Sequence, residues 1–528
     1  MKRLTPALTR RAFLYRAAAV GGSSLVLSTM NAWGMGIASR VTAPPALTGS
    51  GRGKKLLILG AGLAGLSAAW ELRKLGYQVQ VLEARPFAGG RCQSARKGFS
   101  LQELGGEAQH CQFDPGHYIN HGPWRIPLDH QSTLYYARQF KVSLEVMVNE
   151  NDHAYVYLEQ GGPLSNRRLR GAQIKADMRG HVAELLAKSV QGRQLDAQLG
   201  PDDQALLLDY LAREGALDAG DLAYKGRSGR GYATNPGAGL VPGAGTPSDP
   251  LAFHDLLAAK VGKVYSAVQE FPMHATMFQP VGGMDQIPRA FARGLGEAIR
   301  YGAEVQRIRQ APDRVTVDVR DVASKKVSSV SADYCLCTVP LSVLRMIDTD
   351  FSDRFKAAIK AVPYAPVGKI GLQMGRRFWE EDDQIYGGHV LTDLKGINTI
   401  SLPSGGWQQR KGVVLGYYNY ARDAIEVSAL TPRQRAEFAL AAGEKIFPAY
   451  RSAYENAFSV AWHRVQYSLG GWAEWNPAAR QGAYPVLLEG EGRVLLAGEH
   501  LSYLTGWQAG AIESSWQQVE QLHRRASA

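Results

Sequence analysis

The sequence predicts a mixed α/β protein whose first domain is built on a parallel sheet. A short apolar run at residues 56–59 is typical of a strand that is buried on both faces. Residues 63–75 then carry apolar side chains at helical spacing, and a second strand follows at residues 78–82. Strand, glycine-rich turn, helix and strand in this order indicate a βαβ unit that binds a ligand at its turn.

The turn of this unit has the G-x-G-x-x-G pattern, with Gly60, Gly62 and Gly65. Gly60 permits a tight turn, Gly62 lets a pyrophosphate approach the backbone, and Gly65 lets the helix pack close to the strand. Leu63 and Ala64 begin the helix, whose free N–H groups face the phosphates. The pattern predicts a Rossmann-like domain with a bound dinucleotide.

The residues after the second strand indicate which dinucleotide is bound. Glu83 ends that strand, before Ala84 and Arg85, at the place where a carboxylate binds the adenosine ribose. Gly90 and Arg91 lie in the run ARPFAGGRCQS, which resembles the extended FAD motif of the flavin amine oxidase family. The resemblance implies that Arg91 binds the FAD pyrophosphate through charge-assisted hydrogen bonds.

A second motif begins at Gly122 and continues through Pro123, Trp124 and Arg125. It resembles the G-x-M-R-x-P segment of L-amino acid oxidases, in which the arginine lies beside the flavin and clamps the substrate carboxylate. A planar guanidinium suits this role because it binds and orients a carboxylate through two hydrogen bonds. Amine oxidases that act on amines without a carboxylate need no such cation. All four residues are expected near the cofactor.

Three later segments occur in the same order as in this family. Residues 279–285, QPVGGMD, resemble its PxGGM segment. Val305 corresponds to a valine whose backbone contacts the adenine. Lys369, near the start of an apolar strand, resembles the lysine that holds a water molecule against flavin N5, which implies a catalytic role.

The end of the chain resembles the C-terminal motif of the same family. Gly498 and Glu499 follow a short strand, and the resemblance places the carboxylate near the ribityl chain and the pyrophosphate. Gly506 and Trp507 precede a final helix that we expect from Ala509 onward. Trp507 would form a wall of the substrate site, and the helix N-terminus would favour negative charge on the reduced flavin.

Weaker signals concern the rest of the substrate site. Trp462, Trp472 and Trp475 are candidates for further walls, although large aromatic residues are more often core residues. His121 is a candidate base for the substrate amine. Leu402 stands before a proline where L-amino acid oxidases tend to place a tyrosine that binds the carboxylate. Either the clamp is simpler here or another hydroxyl supplies this contact.

These motifs divide the chain into segments. We expect an FAD-binding domain at 53–110, 275–345 and 485–525, a mixed-sheet substrate domain at 111–164 and 346–484, and a helical insertion at 165–262. Helical patterning in the insertion covers residues 180–190, 204–214 and 251–261. A Gly/Pro-rich loop at 228–250 is either a lid over the site or a surface connection.

Residues 1–45 are interpreted as an export signal. Arg10 and Arg11, followed by Phe13 and Leu14, resemble the twin-arginine motif, which directs folded proteins across a membrane. The apolar segment at 17–30 is short for a membrane span. We therefore expect a periplasmic or secreted protein without a stable membrane span after signal removal. An uncleaved anchor or a chance arginine pair remains the alternative.

Composition excludes some other functions. The 528 residues carry a formal charge of +12, with no basic block interleaved with aromatics, so nucleic-acid binding has little support. The four cysteines (Cys92, Cys111, Cys335 and Cys337) have no metal-ligand spacing with histidines, and we expect buried thiols. The sequence does not determine the oligomeric state, and a homodimer is one open alternative.

Together these resemblances imply an FAD-dependent L-amino acid oxidase, which converts an L-amino acid and O2 to a 2-oxo acid, ammonia and hydrogen peroxide. We expect non-covalent FAD, because Ser502 and its neighbours include no cysteine for the thioether link of monoamine oxidases. Two other enzymes stay open: an amino-acid 2-monooxygenase, and an amine oxidase or dehydrogenase for amines without a carboxylate. A non-enzymatic FAD-binding protein is a remote third alternative.

Overall fold

The computed structural model describes residues 41–226, 228–266 and 273–527. The predicted twin-arginine motif at Arg10 and Arg11 lies outside the described residues. Among the helices that are described, none is long and apolar enough to cross a membrane.

The described chain alternates strands and helices along most of its length. The strands, numbered in chain order, are β1 (Lys55–Leu59), β2 (Gln78–Leu82), β3 (Ala95–Arg96), β4 (Ser100–Gln102), β5 (Ala108–His110), β6 (Tyr118–Ile119), β7 (Leu144–Val148), β8 (Tyr155–Tyr157), β9 (Leu169–Arg170), β10 (Tyr232–Thr234), β11 (Thr246–Pro247), β12 (Thr276–Pro280), β13 (Ile299–Arg300), β14 (Ala303–Gln310), β15 (Val315–Asp321), β16 (Val327–Ala332), β17 (Tyr334–Cys337), β18 (Asp348–Thr349), β19 (Val367–Met374), β20 (Gly388–Thr392), β21 (Thr399–Leu402), β22 (Gly412–Tyr420), β23 (Tyr454–Ala461) and β24 (Val494–Leu496). The helices are α1 (Leu63–Lys74), α2 (Gln131–Gln139), α3 (Gly171–Gln191), α4 (Pro201–Glu214), α5 (Phe253–Ala258), α6 (Val261–Ser266), α7 (Gln286–Leu295), α8 (Leu341–Leu344), α9 (Asp353–Lys360), α10 (Phe378–Glu381), α11 (Ala421–Ser428), α12 (Pro432–Gly443), α13 (Pro477–Glu489) and α14 (Gln508–Ser527).

The first sheet is parallel, with the order β13-β2-β1-β17-β24. Alternate residues of β1 face two different cores. Leu56 and Ile58 pack with α1 and α14, whereas Leu57 and Leu59 pack with β15 and α9. Because both faces are covered by apolar groups, the strand is a continuous hydrophobic run, as the sequence predicted.

The cysteines of this region are free and buried, as expected. On β17, Cys335 and Cys337 face the same core, and burial raises the pKa of the Cys337 thiol to about 12. Their side chains are therefore inert packing groups in the sheet. A four-stranded sheet, β16-β15-β14-β18, lies beyond this core.

The second large sheet is mixed and has seven strands, in the order β23-β19-β22-β21-β20-β8-β9. Its central strand β19 is buried along its whole length and pairs antiparallel with β22 and β23. One face of the sheet packs on α12 and the aromatic residues around Phe447. The register places Lys369 of β19 directly beside Tyr418 of β22.

The helical insertion contains α3 and α4, as predicted, and a third part that differs from the prediction. Within the predicted helical stretch at 251–261, α5 ends at Ala258, and a second short helix, α6, begins at Val261. Lys260 lies between them with a φ of 52°, which interrupts a right-handed helix. The Gly/Pro-rich loop at 228–250 contains the short hairpin β10–β11.

Candidate active site

One cavity of about 530 Å³ runs from the carboxyl edge of the parallel sheet to the seven-stranded sheet. Most of the predicted site residues line it: Gly60, Gly62, Leu63, Ala64, Glu83, Ala84, Arg85, Gly90, Arg91, Gly122, Pro123, Val305, Lys369, Gly498, Glu499, Gly506 and Trp507. The cavity therefore joins segments that are more than 400 residues apart in sequence.

Four predicted residues do not line this cavity. Gly65 lies inside α1, where a Cβ would be 2.0 Å from the carbonyl oxygen of Gly60, so the close packing requires glycine. Ala509 is buried in the first turn of α14. Trp124 and Arg125 stand beside the cavity, around the side chain of Lys369.

At the end near β2, Glu83 fixes the glycine turn. One carboxylate oxygen accepts a hydrogen bond from the backbone N–H of Ala61 at 2.7 Å, and the other accepts one from Arg85 at 2.9 Å. The Arg85 side chain donates to the Ser468 hydroxyl at 2.8 Å. The buried Glu83 carboxylate and the glycine turn therefore lie at the same end of the cavity.

In the middle of the cavity, Arg91 and Glu499 form an ion pair with an N–O distance of 2.9 Å. Arg91 also donates to the carbonyl oxygen of Gly471 at 2.8 Å. Glu499 is buried and accepts hydrogen bonds from the backbone of Gly506 and Ala473. This buried carboxylate holds Arg91 at the cavity wall and fixes the turn that leads to Trp507.

At the end near the seven-stranded sheet, Lys369 is 1% exposed. Its ammonium donates to the carbonyl oxygen of Gly122. It lies 4.0 Å from the ring centre of Tyr418 and 5.4 Å from that of Trp124. Burial, and then the charge of Arg125, lower the pKa of Lys369 well below its ordinary value. The side chain is therefore poised to lose its charge inside the cavity.

Tyr418 of β22 lines this end of the cavity, and Tyr420 lies beside it on the same strand. The rings of Tyr418 and Tyr420 lie 4.5 Å apart, and each hydroxyl acts on the pKa of the other. Tyr420 also packs on Trp472, with ring centres 5.7 Å apart. The charge of Arg125 acts on both tyrosines. We use the name anion chamber for the space bounded by Arg125, Lys369, Tyr418, Tyr420 and Trp507.

Arg125 enters this chamber from the loop after β6. Its guanidinium contacts the thioether sulfur of Met273, with an N–S distance of 3.0 Å. Its charge acts on Lys369, on the two tyrosines and on His389. The charge of Arg125 thus acts on the groups at this end of the cavity, which favours a bound anion there.

The sequence model of the flavin-containing amine oxidoreductases matches residues 63–523 of this chain. The chain belongs to this family. An L-amino-acid oxidase from Gloydius blomhoffii is 28% identical over 484 residues, which make up 89% of this chain and 89% of that protein.

Solved structures confirm the fold of this amine oxidoreductase. A cyclohexylamine oxidase from Brevibacterium oxydans IH-35A superimposes with a TM-score of 0.60 and 17% identity, over 90% of this chain and 100% of that one. A putrescine oxidase bound to putrescine gives a TM-score of 0.59 and 17% identity, over 89% and 99% of the two chains.

FAD is the cofactor of this family, and the cavity of this amine oxidoreductase fits it. The glycine backbone approaches closely across the turn, since a Cβ on Gly90 would lie 3.1 Å from the Cα of Gly62. Such a bare turn admits a pyrophosphate, while Glu83 suits a ribose and Arg91 suits a phosphate charge. The N-terminus of α14 adds further N–H groups at the opposite wall.

Of the other candidates in this amine oxidoreductase, Trp462 and Trp472 line the cavity. Trp475 is a core residue whose indole donates to the carbonyl oxygen of His500 at 2.9 Å. His121 is buried and stacks on Trp462, and burial lowers its pKa to about 3. A histidine that remains neutral and enclosed in this way is poorly placed to exchange protons with a substrate.

Sequence reasoning missed Tyr418 and Tyr420. Leu402, the residue at the place of the expected tyrosine, is buried in the core of the seven-stranded sheet and supplies no hydroxyl. The run GYYNY did contain a signal, because residues two apart on a strand share a face. What the sequence did not show is that this strand pairs with the strand of Lys369.

No group of three or more potential metal-ligating side chains occurs in the described part of the chain.

Proposed function

We propose that this flavin-dependent amine oxidoreductase is an L-amino acid oxidase. The observation that carries the proposal is the anion chamber, where the guanidinium of Arg125 stands beside the FAD cavity and its charge acts on Lys369 and Tyr418. A substrate with a carboxylate balances this charge, whereas a simple amine adds another cation. The relative from Gloydius blomhoffii, whose name records oxidation of L-amino acids, supports the same substrate class.

The proposed reaction converts an L-amino acid, O2 and water to a 2-oxo acid, ammonia and hydrogen peroxide. FAD, held by the glycine turn with Glu83 and Arg91, would supply the redox chemistry of amine oxidation and of O2 reduction. Arg125 binds and orients the α-carboxylate through a bidentate ion pair. The walls at Trp472 and Trp507 enclose the substrate and exclude water.

The hydroxyl pair of Tyr418 and Tyr420 supplies a second contact to the carboxylate. Each hydroxyl carries a proton that it can donate to the substrate carboxylate. Burial raises the pKa of Tyr418, so this hydroxyl stays protonated and remains a donor. The pair thus provides the hydroxyl contact that Leu402 cannot supply.

Lys369 serves the proton transfers. Burial and the charge of Arg125 lower its pKa well below the ordinary value, which makes the ammonium a better proton donor. The carbonyl oxygen of Gly122 holds the amine in place. In the proposed site the Lys369 amine orders a water molecule next to the cofactor. His121 takes no part, because it is enclosed by Trp462 and held near Gln93.

Anaerobic reduction of the bound flavin tests this proposal. L-amino acids should bleach the yellow holoenzyme, while D-amino acids and decarboxylated amines should bleach it slowly. Readmission of air should then release hydrogen peroxide and a 2-oxo acid in equal amounts. Release of an amide without free peroxide would indicate a 2-monooxygenase instead.

A second candidate is an amine oxidase for amines without a carboxylate. The solved structures favour it, because the two neighbours named above carry the names of cyclohexylamine and putrescine oxidases. It predicts rapid bleaching by simple amines and no requirement for Arg125. The same bleaching panel therefore separates the two candidates.

We also propose export by the twin-arginine route and non-covalent binding of FAD. Changing Arg10 and Arg11 to lysine should leave active holoenzyme in the cytoplasm; unchanged periplasmic activity would contradict this route. Denatured protein should release its flavin into solution, since no cysteine stands near Ser502. Flavin that stays attached to the denatured chain would contradict non-covalent binding.

A further inference from the structure

His121 is a buried polar residue that the proposed reaction does not use. Its imidazole is stacked on Trp462, with ring centres 5.7 Å apart, and packs against Phe99 and Phe458 at 5.1 and 5.8 Å. Its Nε2 lies 3.3 Å from the side-chain oxygen of Gln93. Burial lowers the pKa of His121 to about 3, so the imidazole stays neutral. An apolar side chain would suit such aromatic surroundings, and the contact to Gln93 therefore points to a role for the imidazole nitrogen.

Gln93 connects His121 to the turn that fits the FAD pyrophosphate. Its side-chain amide donates to the carbonyl oxygen of Gly90, which fixes the orientation of the amide because a carbonyl only accepts. The side-chain oxygen of Gln93 then accepts from the His121 Nε2–H. Its backbone carbonyl also accepts a hydrogen bond from the N–H of Gly122 at 3.2 Å. Gln93 thus ties the glycine turn to the segment around His121.

This segment, residues 120–126, is named the clamp loop, and it lies directly on the FAD motif. A Cβ on Gly122 would be 2.0 Å from the carbonyl oxygen of Arg91, so the close approach requires glycine. The indole N–H of Trp462 donates to the carbonyl oxygen of His121 at 2.7 Å. The clamp loop is therefore fixed to the FAD motif and to the indole at the same point of the chain.

Two groups of the anion chamber depend on where the clamp loop lies. The ammonium of Lys369 donates to the carbonyl oxygen of Gly122, the residue next to His121. Arg125, three residues further along the loop, carries the guanidinium that stands beside the cavity. Titratable groups that interact with Lys369 are Arg125 and His121 of the clamp loop and Tyr418 of β22. A displacement of the loop would therefore change the surroundings of the Lys369 ammonium.

We propose that His121 and Gln93 are positioning residues that fix the clamp loop relative to FAD. The imidazole ring fills the aromatic surroundings, while its N–H holds the amide that also binds the glycine turn. Through the loop, the pair determines where the Gly122 carbonyl meets the Lys369 ammonium. The effect on Lys369 does not depend on the substrate class, whereas the effect on Arg125 rests on the proposed function.

The first test is the pH dependence of flavin reduction in the holoenzyme. His121→Phe keeps an aromatic ring but loses the N–H that holds Gln93. The Gly122 carbonyl should then bind the ammonium less well, and because this bond favours the charged form, the pKa of Lys369 should fall. The limb of the pH profile that Lys369→Met removes should therefore move to lower pH by about half a pH unit to one pH unit. His121→Gln, which retains an amide donor, should stay close to wild type.

The second test compares L-leucine with 3-methylbutylamine, which is the same molecule without its carboxylate. In His121→Phe, kcat/KM for L-leucine should fall about tenfold more than that for the amine, because Arg125 is no longer held in place. The absorption spectrum should show that FAD remains bound. Equal losses on both substrates would contradict a role of His121 in placing Arg125.

His181→Phe is the matched control. His181 also packs against aromatic rings, those of Tyr224 and Phe253, and is bonded to the carbonyl oxygen of Leu251, but it lies in the helical insertion. It should leave both measurements at their wild-type values. Gln93→Met removes the other partner of the link and should move the Lys369 limb in the same direction as His121→Phe.

A Lys369 limb that stays in place in both His121→Phe and Gln93→Met would overturn the inference, and so would equal displacements in His121→Phe and His121→Gln. A wild type that oxidises 3-methylbutylamine faster than L-leucine would contradict the amino acid oxidase. In that case the displacement of the limb, measured with the amine as substrate, still decides whether His121 positions the clamp loop.

Discussion

The two ends of the cavity are built in different ways. The end that fits the FAD ribose and pyrophosphate consists mostly of backbone from a single βαβ unit, fixed by Glu83. The anion chamber consists of side chains such as Arg125, Lys369 and Tyr420, which come from separate parts of the chain. The first end recognises a group that is common to the family. In the proposed function the second end selects the substrate, and its side chains can change without altering the turn.

Because the two ends are built from different parts of the chain, we expect substitutions at one end to have effects separable from those at the other. A change at the glycine turn should alter how tightly FAD binds, while holoenzyme that retains FAD keeps its substrate preference. A change in the anion chamber should alter substrate kinetics while FAD stays bound.

The largest effect is expected for Arg125→Met. Leaving a carboxylate unpaired in a buried site costs about 3–5 kcal/mol, so kcat/KM for L-amino acids should fall roughly a hundredfold to a few thousandfold. The matching decarboxylated amine never makes this contact, and its already slow oxidation should change little. Steady-state kinetics on both substrates check this. A general folding defect would instead depress both rates together.

Lys369→Met should slow turnover by about tenfold to a hundredfold, because the variant loses the group that serves proton transfer. The absorption spectrum should still show bound FAD. Stopped-flow measurements of flavin reduction and of reoxidation would locate the slowed step. Lys411→Met is a control, since Lys411 is paired with Asp114 and Glu455 outside the cavity. Equal half-reaction rates in Lys369→Met and wild type would remove Lys369 from the mechanism.

Glu83→Gln should weaken FAD binding about tenfold to a hundredfold, because charged hydrogen bonds to the turn contribute about 1.5–3 kcal/mol. The variant, once saturated with FAD, should keep kcat/KM for L-amino acids within about threefold of wild type. Fluorescence titration of the apoprotein with FAD measures the first quantity. An altered preference among amino acids in the saturated variant would contradict the separation of the two ends.

The smallest effect is expected for Tyr420→Phe, which removes one hydroxyl of the tyrosine pair. The loss of one hydrogen bond to a carboxylate should raise KM for L-amino acids about three- to tenfold and leave decarboxylated amines unchanged. Tyr417→Phe is the matched control, because Tyr417 lies on the same strand and is buried in the opposite core. Identical effects of both substitutions would show that Tyr420 acts only through packing.

The two ends of the cavity also differ in how far they could be predicted from the sequence. The glycine turn was predictable because Gly60, Gly65 and Glu83 lie within one local unit whose spacing has a direct physical meaning. Its helix begins and its strands run where the pattern placed them. Local patterns also predicted buried cysteines and the strand of Lys369.

The anion chamber was only partly predictable. Arg125 and Lys369 were proposed from family resemblance, and the structure brings their charges together. Tyr420 was not predicted, because its role depends on the pairing of β19 with β22, two strands that meet only through the tertiary fold.

Binding of a carboxylate that cannot be oxidised tests the central claim most directly. 4-Methylpentanoate is L-leucine without its amine, and 4-methylpentanamide is the same molecule without the negative charge. Titration of the oxidised holoenzyme, followed by the flavin absorption spectrum, should show saturable binding of the carboxylate that competes with L-leucine. Arg125→Met should weaken this binding about a hundredfold and leave the amide unchanged. Equal affinity of the wild type for the acid and the amide would contradict an anion chamber at Arg125.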